Sequence, residues 1–402
     1  KTVVEFYYNA DMSVDEKFRW VPMRSRYDKT DSVRRHRKKY GNYDETAYKV
    51  WRSITNPITM NDFNILANDN VYLKHRNILR GKIDHSLILS ERKQNVYYQI
   101  VTNLAKPMRN FHNWIKSILI YTYFHPIYED NKQMTVLDLG IGRGGDMMKF
   151  YYTKVKYMVG IDLSNEGLIA ATEGAISRYN QVRKTHPNFP KMYFINADAG
   201  TLLRSDDQKK VIGNMSPQNK KLLDQFFPNN PKHIVPFDRI NCQFVIHYLL
   251  RNQPVWTNFC NNLKAYLRPG GYAVFTCFDG GRVVNALKGK EKYFSEYTTE
   301  KGEKKIFFEI VKRYSLNEKD KVIGLGNAID VHLSTISPEG EYETEYLVDK
   351  DFITQEFDKN CDMQLIETDT FDKLYNVNRK YFEYSAESEE NVKTRQFLMN
   401  AK

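Results

Sequence analysis

From Thr135 onward, apolar and polar positions alternate between strand-like runs and helix-like patterns. Five short apolar runs predict strands, because each is rich in aliphatic or aromatic residues and is followed by polar or glycine-rich chain. The predicted strands are Val136–Leu139, Met158–Asp162, Met192–Ile195, Phe237–Phe244 and Gly271–Cys277. Strands that alternate with helices predict an α/β fold with a doubly wound, mostly parallel sheet.

Other patterns flank this alternation. Asn95–Tyr123 has apolar residues at helical spacing and predicts a helical N-terminal lead-in, broken at Pro107. The polar stretch 204–233 predicts an inserted helix and loop, while Leu365–Asp369 and Lys380–Tyr384 are expected to complete the sheet. Alternating runs between residues 280 and 350 predict a β-rich insertion that covers or borders the substrate. These runs are Lys305–Val311, Val331–Leu333 and Glu343–Val348.

The N-terminal section has a less regular pattern. It combines a β-type run at Thr2–Tyr8, a second short strand at Phe18–Pro22 and a helical pattern at Ala47–Ile54. None of these segments is long enough to close a core, and the chain does not begin with Met. We therefore expect residues 1–90 to be a partial domain with a linker, cut from a longer polypeptide, and residues 91–402 to form the main domain.

Composition narrows the class of protein. The 402 residues are 41% hydrophobic and 27% charged, which is typical of a globular protein. No window approaches the ~18 consecutive apolar residues of a membrane span, so we expect no membrane association. The four cysteines form no C-x-x-C pair and the nine histidines form no H-E-x-x-H motif. These patterns argue against a metal site and fit a reducing compartment.

The charge of the chain is uneven. The net charge of +11 favours a polyanionic partner, although lysine-rich surfaces also serve solubility. Residues 19–39 contain nine Lys or Arg and two Asp. A block of one sign commonly contacts phosphates, and its alternative interpretation is a solvated charged face.

The first predicted strand runs into a glycine-rich loop, with four glycines among residues 140–145. Glycine allows a positive φ and a close approach of backbone to ligand, and a helical pattern follows. A strand, a glycine loop and a helix start form a nucleotide site at the carboxyl edge of an α/β sheet. Asp138 precedes the loop and is expected to hydrogen-bond its backbone.

Two carboxylates follow later strands. Asp162 lies twenty residues after Gly142 and can accept both hydroxyls of a ribose; its alternative role is a helix N-cap together with Ser164. Asp198 can accept from the amine of adenine, or can be a plain turn residue. An NAD site remains an alternative, but the third glycine of G-x-G-x-x-G would fall on Gly145, and here another glycine, Gly144, precedes it.

Five segments together carry a family resemblance. They are Asn110–Lys116, Val136–Asp146, Cys242–Tyr248, Arg268–Gly271 and Thr344–Val348. The glycine loop resembles that of S-adenosylmethionine (AdoMet) methyltransferases, and the whole set resembles messenger-RNA cap guanine-N7 methyltransferases. The Q-F-x-x-H-Y motif at 243–248 is specific, because methyltransferases acting on amino groups of bases typically have [N/D]-P-P-Y there. The resemblance implies a Rossmann-like AdoMet-dependent methyltransferase sheet.

The resemblance also implies roles for individual residues. The AdoMet-binding positions are Lys116, Asp138, Gly140, Gly142, Asp162, Asp198 and Gln243. The cap-binding positions are His112, Asn113, Arg143, His247, Tyr248 and Glu345. The chain departs from the family at His112, usually Asn, at Ile141, often Cys or Ala, and at Arg143, commonly Lys. Phe397 is a weak candidate for the C-terminal aromatic residue of the cap site.

A second resemblance covers Phe18–Lys29, which is similar to the closing motif of a guanylyltransferase OB domain. The nucleophilic K-x-D-G motif of that family is missing. Residues 1 to about 60 would then be the tail of a guanylyltransferase module, as in fused capping enzymes of large cytoplasmic DNA viruses. Implied partners are upstream guanylyltransferase and triphosphatase modules and a stimulatory subunit, and the implied location is a cytoplasmic viral factory or virion. The alternative is a free-standing methyltransferase with a basic extension.

The expected reaction explains why the implied residues suit it. Guanine N7 has a free lone pair, so it attacks the sulfonium methyl group without a general base, and positioning supplies most of the catalysis. Glu345 would accept from guanine N1–H and the 2-amino group, with His247 and Tyr248 nearest the base. As alternatives, His247 and Tyr248 are core residues and Glu345 is an exposed strand residue. Alternative functions are methylation of another RNA position or of a small molecule, and an inactive RNA-binding capping subunit.

Overall fold

The computed structural model describes residues 2–9, 20–36, 59–74, 77–78, 106–124, 133–298, 302–315, 323–334 and 340–378. The chain divides into two compact units, Lys1–Asn64 and Ile65–Lys402. This division lies N-terminal to the expected boundary at residue 90, which stays a prediction. Within the described residues, no helix combines the length and the apolar composition that a membrane span requires.

The first unit contains an antiparallel hairpin of β1 (Val4–Tyr8) and β2 (Trp20–Ser25), followed by α1 (Tyr27–His36). Both strands correspond to the predicted ones. Val3 N–H donates to Thr30 Oγ1 at 2.9 Å, which joins the start of β1 to α1. The predicted helix at 47–54 lies outside the described residues. The next helix, α2 (Met60–Ala67), begins in this unit and ends in the second.

The second unit is built on a five-stranded sheet. Its strands are β3 (Thr135–Leu139), β4 (Tyr157–Asp162), β5 (Lys191–Asn196), β6 (Phe237–Gln243) and β7 (Leu267–Thr276). All neighbouring pairs are parallel, in the order β5-β4-β3-β6-β7. The chain order reverses at β3, so the switch point lies between β3 and β6, where ligands of doubly wound sheets bind. The predicted fold class and the five predicted strands are confirmed.

Helices cover both faces of this sheet. They are α3 (Lys106–Tyr123), α4 (Met147–Tyr152), α5 (Asn165–Ile169), α6 (Ala175–Thr185), α7 (Ser205–Ile212), α8 (Pro217–Phe226), α9 (Ile246–Leu249), α10 (Gln253–Tyr266), α11 (Gly280–Ala286), α12 (Lys350–Cys361) and α13 (Phe371–Asn378). Successive residues of β3 point to opposite faces, as the period of a strand requires. Leu137 and Leu139 pack in the core with Trp256 of α10, whereas Val136 packs in the other core with Ile120 of α3.

A smaller antiparallel sheet follows α11. Its order is β11-β10-β9-β8, and its strands are β8 (Lys292–Thr298), β9 (Lys304–Lys312), β10 (Ala328–Leu333) and β11 (Glu343–Tyr346). The predicted β-rich insertion therefore exists, with one strand, β8, that the sequence analysis missed. Its core contains Leu287, Ile323, Ile329 and Leu347. Glu345 lies on the edge strand β11.

Two details differ from expectation. Leu365–Asp369 forms no strand, and Leu365 is half exposed, because this polar segment lacks an apolar face to bury against the sheet. Residues 380–384 lie outside the described part of the chain. The stretch 204–233 forms two helices and a short 3-10 turn rather than one helix and a loop, since Ser216 caps the second helix by accepting from Asn219 N–H. Pro107 lies in the first turn of α3, where its missing N–H costs little, so α3 begins where the break was predicted; residues 95–105 lie outside the described part of the chain.

Candidate functional site

The glycine loop leaves the carboxyl end of β3 in a conformation that favours glycine. Gly140, Gly142 and Gly144 have φ values of +75°, +54° and +75°. The N–H groups of Gly140 and Ile141 both donate to the carbonyl of Ile161, at 2.9 and 3.0 Å. The loop is thereby fixed to the end of β4, and a Cβ at Gly142 would meet nothing within 4 Å. Its outer side is therefore open to a ligand.

Replacing Gly140 with alanine should destabilise the protein by about 3 kcal/mol, compared with about 1 kcal/mol for Gly142→Ala. Both substitutions impose a strained φ, but only a Cβ at position 140 would approach Val245 Cγ2, at 2.3 Å. Urea denaturation of the two variants measures the difference. Equal losses would show that Val245 moves aside and that backbone strain alone accounts for the effect.

Asp162 supports this loop from the end of β4. Its Oδ2 accepts from Gly142 N–H at 2.6 Å, and its Oδ1 accepts from Ser164 N–H at 2.8 Å. Burial raises the pKa of Asp162. The N-cap of α5 is Ser164, whose Oγ accepts from Gly167 N–H at 3.1 Å. Ribose binding by Asp162 stays a prediction, and each carboxylate oxygen retains a second lone pair for it.

The Asp198 side chain folds onto its own turn. Its Oδ1 accepts from Gly200 N–H at 2.9 Å and its Oδ2 accepts from Thr201 Oγ1 at 3.0 Å. The structure therefore shows the turn interactions that were the alternative interpretation, and a contact with adenine stays a prediction.

Asp138 and Gln243 belong to one buried hydrogen-bond chain. Asp138 Oδ1 accepts from Asn241 Nδ2 at 2.7 Å, and Asn241 Oδ1 accepts from Gln243 Nε2 at 2.7 Å. Gln243 Oε1 in turn accepts from Thr276 Oγ1 at 2.9 Å. We expected Asp138 to hydrogen-bond the backbone of the glycine loop. Among the described residues, its side chain instead bonds across the sheet to Asn241. Burial raises the pKa of Asp138 to about 7, and Asp146 adds to this effect.

Lys116 meets a charged cluster at the start of α4. Its Nζ lies 2.9 Å from Asp146 Oδ1, and the Nζ of Lys149 lies 2.7 Å from the same oxygen. Lys149 also donates to Asn113 Oδ1. The Lys149 side chain is fully buried, which lowers its pKa to about 8 despite the contact with Asp146. Asn113 Nδ2 is buried without a hydrogen-bond partner, so this amide has a donor to offer a ligand.

His112 and Arg143 are held by different kinds of contact. The His112 ring lies 4.9 Å from the Phe244 ring and 5.9 Å from that of Phe371 on α13. Burial lowers the pKa of His112 to about 4, so the ring is neutral. Arg143 Nη1 lies 3.2 Å from Glu173 Oε2, and both side chains are largely buried. Binding of a phosphate by Arg143 stays a prediction.

The structure brings His247, Tyr248 and Glu345 together from the two sheets. Glu345 Oε1 accepts from Tyr248 Oη at 3.3 Å and lies 3.7 Å from His247 Nε2. Burial lowers the pKa of His247 to about 4 and raises that of Glu345 to about 7. The two groups are therefore not an ion pair at neutral pH. His247 Nδ1 is buried without a partner, and Tyr248 is 42% exposed. Tyr248 is thus not a core residue.

Several residues of this edge were not predicted from the sequence. Phe244, directly after β6, has φ +58°, a strained value for a side chain of its size. Asn241, Thr276, Asp146 and Lys149 are buried polar residues in predicted strands or helices. These residues could have been found in the sequence, because they are polar residues at positions that the apolar pattern predicts to be buried. In the described ranges, no group of His, Cys, Asp and Glu side chains is arranged to hold a metal ion.

Fold and edge together define a nucleotide-binding protein of the doubly wound α/β class, with polar side chains gathered at the switch point. A family model described as the mRNA (guanine-N(7))-methyltransferase domain matches residues 89–396. The chain therefore belongs to the mRNA (guanine-N(7))-methyltransferase domain family.

Individual relatives agree with this assignment. The chain is 41% identical over 382 residues to the "Probable mRNA-capping enzyme" of Acanthamoeba polyphaga mimivirus. The matched region is 95% of this chain but only 31% of that protein. It is 28% identical over 296 residues to "mRNA cap guanine-N(7) methyltransferase 1" of Oryza sativa subsp. japonica. This match covers 70% of this chain and 69% of that protein. A putative S-adenosylmethionine dependent methyltransferase structure from Listeria monocytogenes is 17% identical at a TM-score of 0.34, with 62% and 79% covered. A similarity this low does not bear on function.

Proposed function

We propose that this chain transfers a methyl group from AdoMet to N7 of the terminal guanosine of GpppN-capped mRNA. The observation that carries the proposal is the cluster of His247, Tyr248 and Glu345, which α9 and β11 present next to the carboxyl end of β6. Membership of the guanine-N7 methyltransferase family supports the same reaction.

The residues at the switch point fit AdoMet. Asp162 offers carboxylate oxygens to ribose hydroxyls, and the loop is open to a ligand at Gly142. The unpartnered Nδ2 of Asn113 and the ammonium group of Lys116 are donors beside the start of α4. When bound, AdoMet supplies an electrophilic methyl group on a sulfonium centre. We propose that Lys116, Asp138, Gly140, Gly142, Asp162, Asp198 and Gln243 bind or shape this cofactor site.

The residues proposed to hold the cap position it without exchanging protons. A neutral His247 can donate one hydrogen bond to guanine O6, and Tyr248 can pack against the base. Ionised Glu345 accepts from N1–H and the 2-amino group, which become stronger donors as the ring gains positive charge. His112, Asn113 and Arg143 complete the proposed cap site. N7 attacks with its own lone pair, so in-line positioning and electrostatics supply the catalysis and no general base is used.

Cap affinity should rise with pH through about 7. Burial raises the pKa of Glu345 from 4.5 to about 7, and only its ionised form accepts from both guanine donors. The KM for capped RNA should therefore fall as pH rises from about 6 to about 8. His247 is neutral throughout this range, because its pKa is about 4. Initial rates measured against pH test this, and Glu345→Gln should remove the dependence. A wild-type KM that is independent of pH would contradict it.

We also propose an organisation for the longer protein. Residues 1–90 would be the tail of a guanylyltransferase OB domain with a linker, and residues 91–402 the methyltransferase domain. The modules upstream would be a guanylyltransferase and a triphosphatase of the same polypeptide, in a viral factory or virion of a cytoplasmic DNA virus. The match to 31% of a probable mRNA-capping enzyme of mimivirus supports a longer capping protein. A stimulatory subunit would be a further partner.

Methyl transfer from labelled AdoMet to GpppA-capped RNA tests the proposal. RNA with an m7GpppA cap and RNA with a 5′-triphosphate serve as controls. Transfer to GpppA-capped RNA alone is the expected result. Transfer to the control RNAs would instead support methylation of another RNA position. A protein that binds neither AdoMet nor S-adenosylhomocysteine would instead be an inactive RNA-binding capping subunit.

A further inference from the structure

A chain of hydrogen-bonded side chains crosses three strands at the carboxyl edge. Asp138 and Asn241 are register partners of β3 and β6, and Gln243 and Thr276 are register partners of β6 and β7. All four side chains are buried. The side chains of each pair hydrogen-bond to each other, and Asn241 bonds to Gln243. Thr276, Gln243, Asn241 and Asp138, in that order, form what we call the cross-strand relay.

Both ends of the cross-strand relay set the same hydrogen-bond direction. Phe244 N–H is shared between the carbonyl oxygen of Thr276, at 3.0 Å, and Thr276 Oγ1, at 3.1 Å, so the hydroxyl hydrogen of Thr276 is free to be donated to Gln243 Oε1. At the other end, Asp138 Oδ1 accepts from Asn241 Nδ2, and because ionised Asp138 can only accept, the NH2 group of Asn241 points towards it. Asn241 Oδ1 then faces Gln243 Nε2. A backbone N–H and a carboxylate each have one role, and together they determine which way both amides point.

We propose that Thr276 and Asn241 are positioning residues that keep Gln243 as a hydrogen-bond donor towards an acceptor atom of bound AdoMet. Within the relay, the oxygen of Gln243 is used by Thr276 and one N–H by Asn241, which leaves the second N–H for the ligand. This inference rests on the proposed function, because it assumes that Gln243 contacts AdoMet. A buried relay with fixed polarity selects a ligand acceptor over a ligand donor at this position.

Removing the Thr276 hydroxyl tests one end of the cross-strand relay. Thr276→Val should weaken binding of S-adenosylhomocysteine about 10-fold and raise the KM for AdoMet similarly, with the KM for capped RNA little changed. Thr276→Ser keeps the hydroxyl and should restore binding. The matched control is Thr135→Val, because Thr135 also joins two strands, through Asp238, but at the opposite end of β3. The control should lower stability without changing ligand binding.

Asn241→Asp tests the other end without a change of shape. Two facing carboxyls at 138 and 241 must share a proton to keep a hydrogen bond, so S-adenosylhomocysteine should bind this variant more weakly as pH rises. Wild-type binding should not weaken as pH rises, because ionised Asp138 still accepts from the Asn241 amide. Burial already raises the pKa of Asp138 to about 7. The other titratable groups that interact with Asp138 are Asp146, Asp162, Lys116, Lys149 and Cys242.

Isothermal titration with S-adenosylhomocysteine, without RNA, provides the decisive numbers. Weaker binding by Thr276→Val, rescue by Thr276→Ser and a pH dependence only in Asn241→Asp support the proposal. Wild-type affinity of Thr276→Val, or of Asn241→Asp at every pH, overturns it. If Thr276→Val does not fold, the pH dependence of Asn241→Asp decides. A wild-type protein that binds S-adenosylhomocysteine but does not methylate GpppA-capped RNA contradicts the proposed function. The titrations still test the cross-strand relay in that case, because they measure cofactor binding without RNA.

Discussion

Replacing Glu345 with alanine should lower kcat/KM for GpppA-capped RNA by about 100- to 10,000-fold and leave the affinity for S-adenosylhomocysteine nearly unchanged. Two hydrogen bonds from guanine to a buried carboxylate are each worth about 1.5–3 kcal/mol, and every 1.4 kcal/mol is about tenfold in rate. The carboxylate lies in a buried position next to Tyr248 and His247, where solvent competes poorly for it. Steady-state kinetics with capped RNA, together with titration of S-adenosylhomocysteine, measure both quantities.

Glu343→Ala is the matched control for this experiment. Glu343 lies two residues earlier on the same strand and is exposed, so its loss should change kcat/KM by less than about threefold. Glu345→Gln should be intermediate, because one amide oxygen still accepts from guanine but its NH2 group opposes the second donor. Equal loss of cap and S-adenosylhomocysteine binding in Glu345→Ala would contradict the assigned role and point to general damage of the fold.

Much of the fold follows from local patterns. The five apolar runs after Thr135 were visible because a parallel sheet is covered on both faces, so that its strands are continuously apolar. β8 was missed because Lys292–Thr298 is largely exposed and its alternation is masked by charged and aromatic residues. The second helix within 204–233 begins at a capping serine, Ser216, followed by Pro217, and both look like loop residues in a short window.

The site was predictable in its residues but not in its connections. Gly140, Asp162 and Gln243 stand at strand ends, where chain order alone predicts a shared edge. Glu345 is joined to Tyr248 across 97 residues, and only the tertiary structure shows that they meet. For Asp198, the structure shows bonds within its own turn, and a contact of its carboxylate with the cofactor stays a prediction. Spacing along the chain cannot separate these cases, because neither the position of Glu345 within β11 nor that of Asp198 after β5 shows what the carboxylate contacts.

Asp146→Asn should lower the free energy of unfolding by about 3–5 kcal/mol. Asp146 compensates both Lys116 and the fully buried Lys149, and without its charge the Lys149 ammonium would keep only the amide oxygen of Asn113. A buried cation that loses its partner carries its full desolvation cost. Chemical denaturation at pH 7 measures the loss. Because burial lowers the pKa of Lys149 to about 8, the difference from wild type should narrow as pH approaches about 8, where the wild-type amine also loses its proton.

Asp207→Asn is the control, because it removes a carboxylate that also pairs with two cations, but these cations are exposed. It therefore separates the effect of burial on stability from the effect of ion pairing. Asp207 also contacts two cations, Arg204 at 2.8 Å and Lys210 at 3.0 Å, but their side chains are 43% and 74% exposed. Its loss should therefore cost less than about 1 kcal/mol. Similar losses in the two variants would mean that Lys149 is readily hydrated or neutralised once Asp146 is gone. In that case the cluster could not hold Asn113 and Lys116 rigidly, and their proposed roles at the cap and the cofactor would lose their structural support.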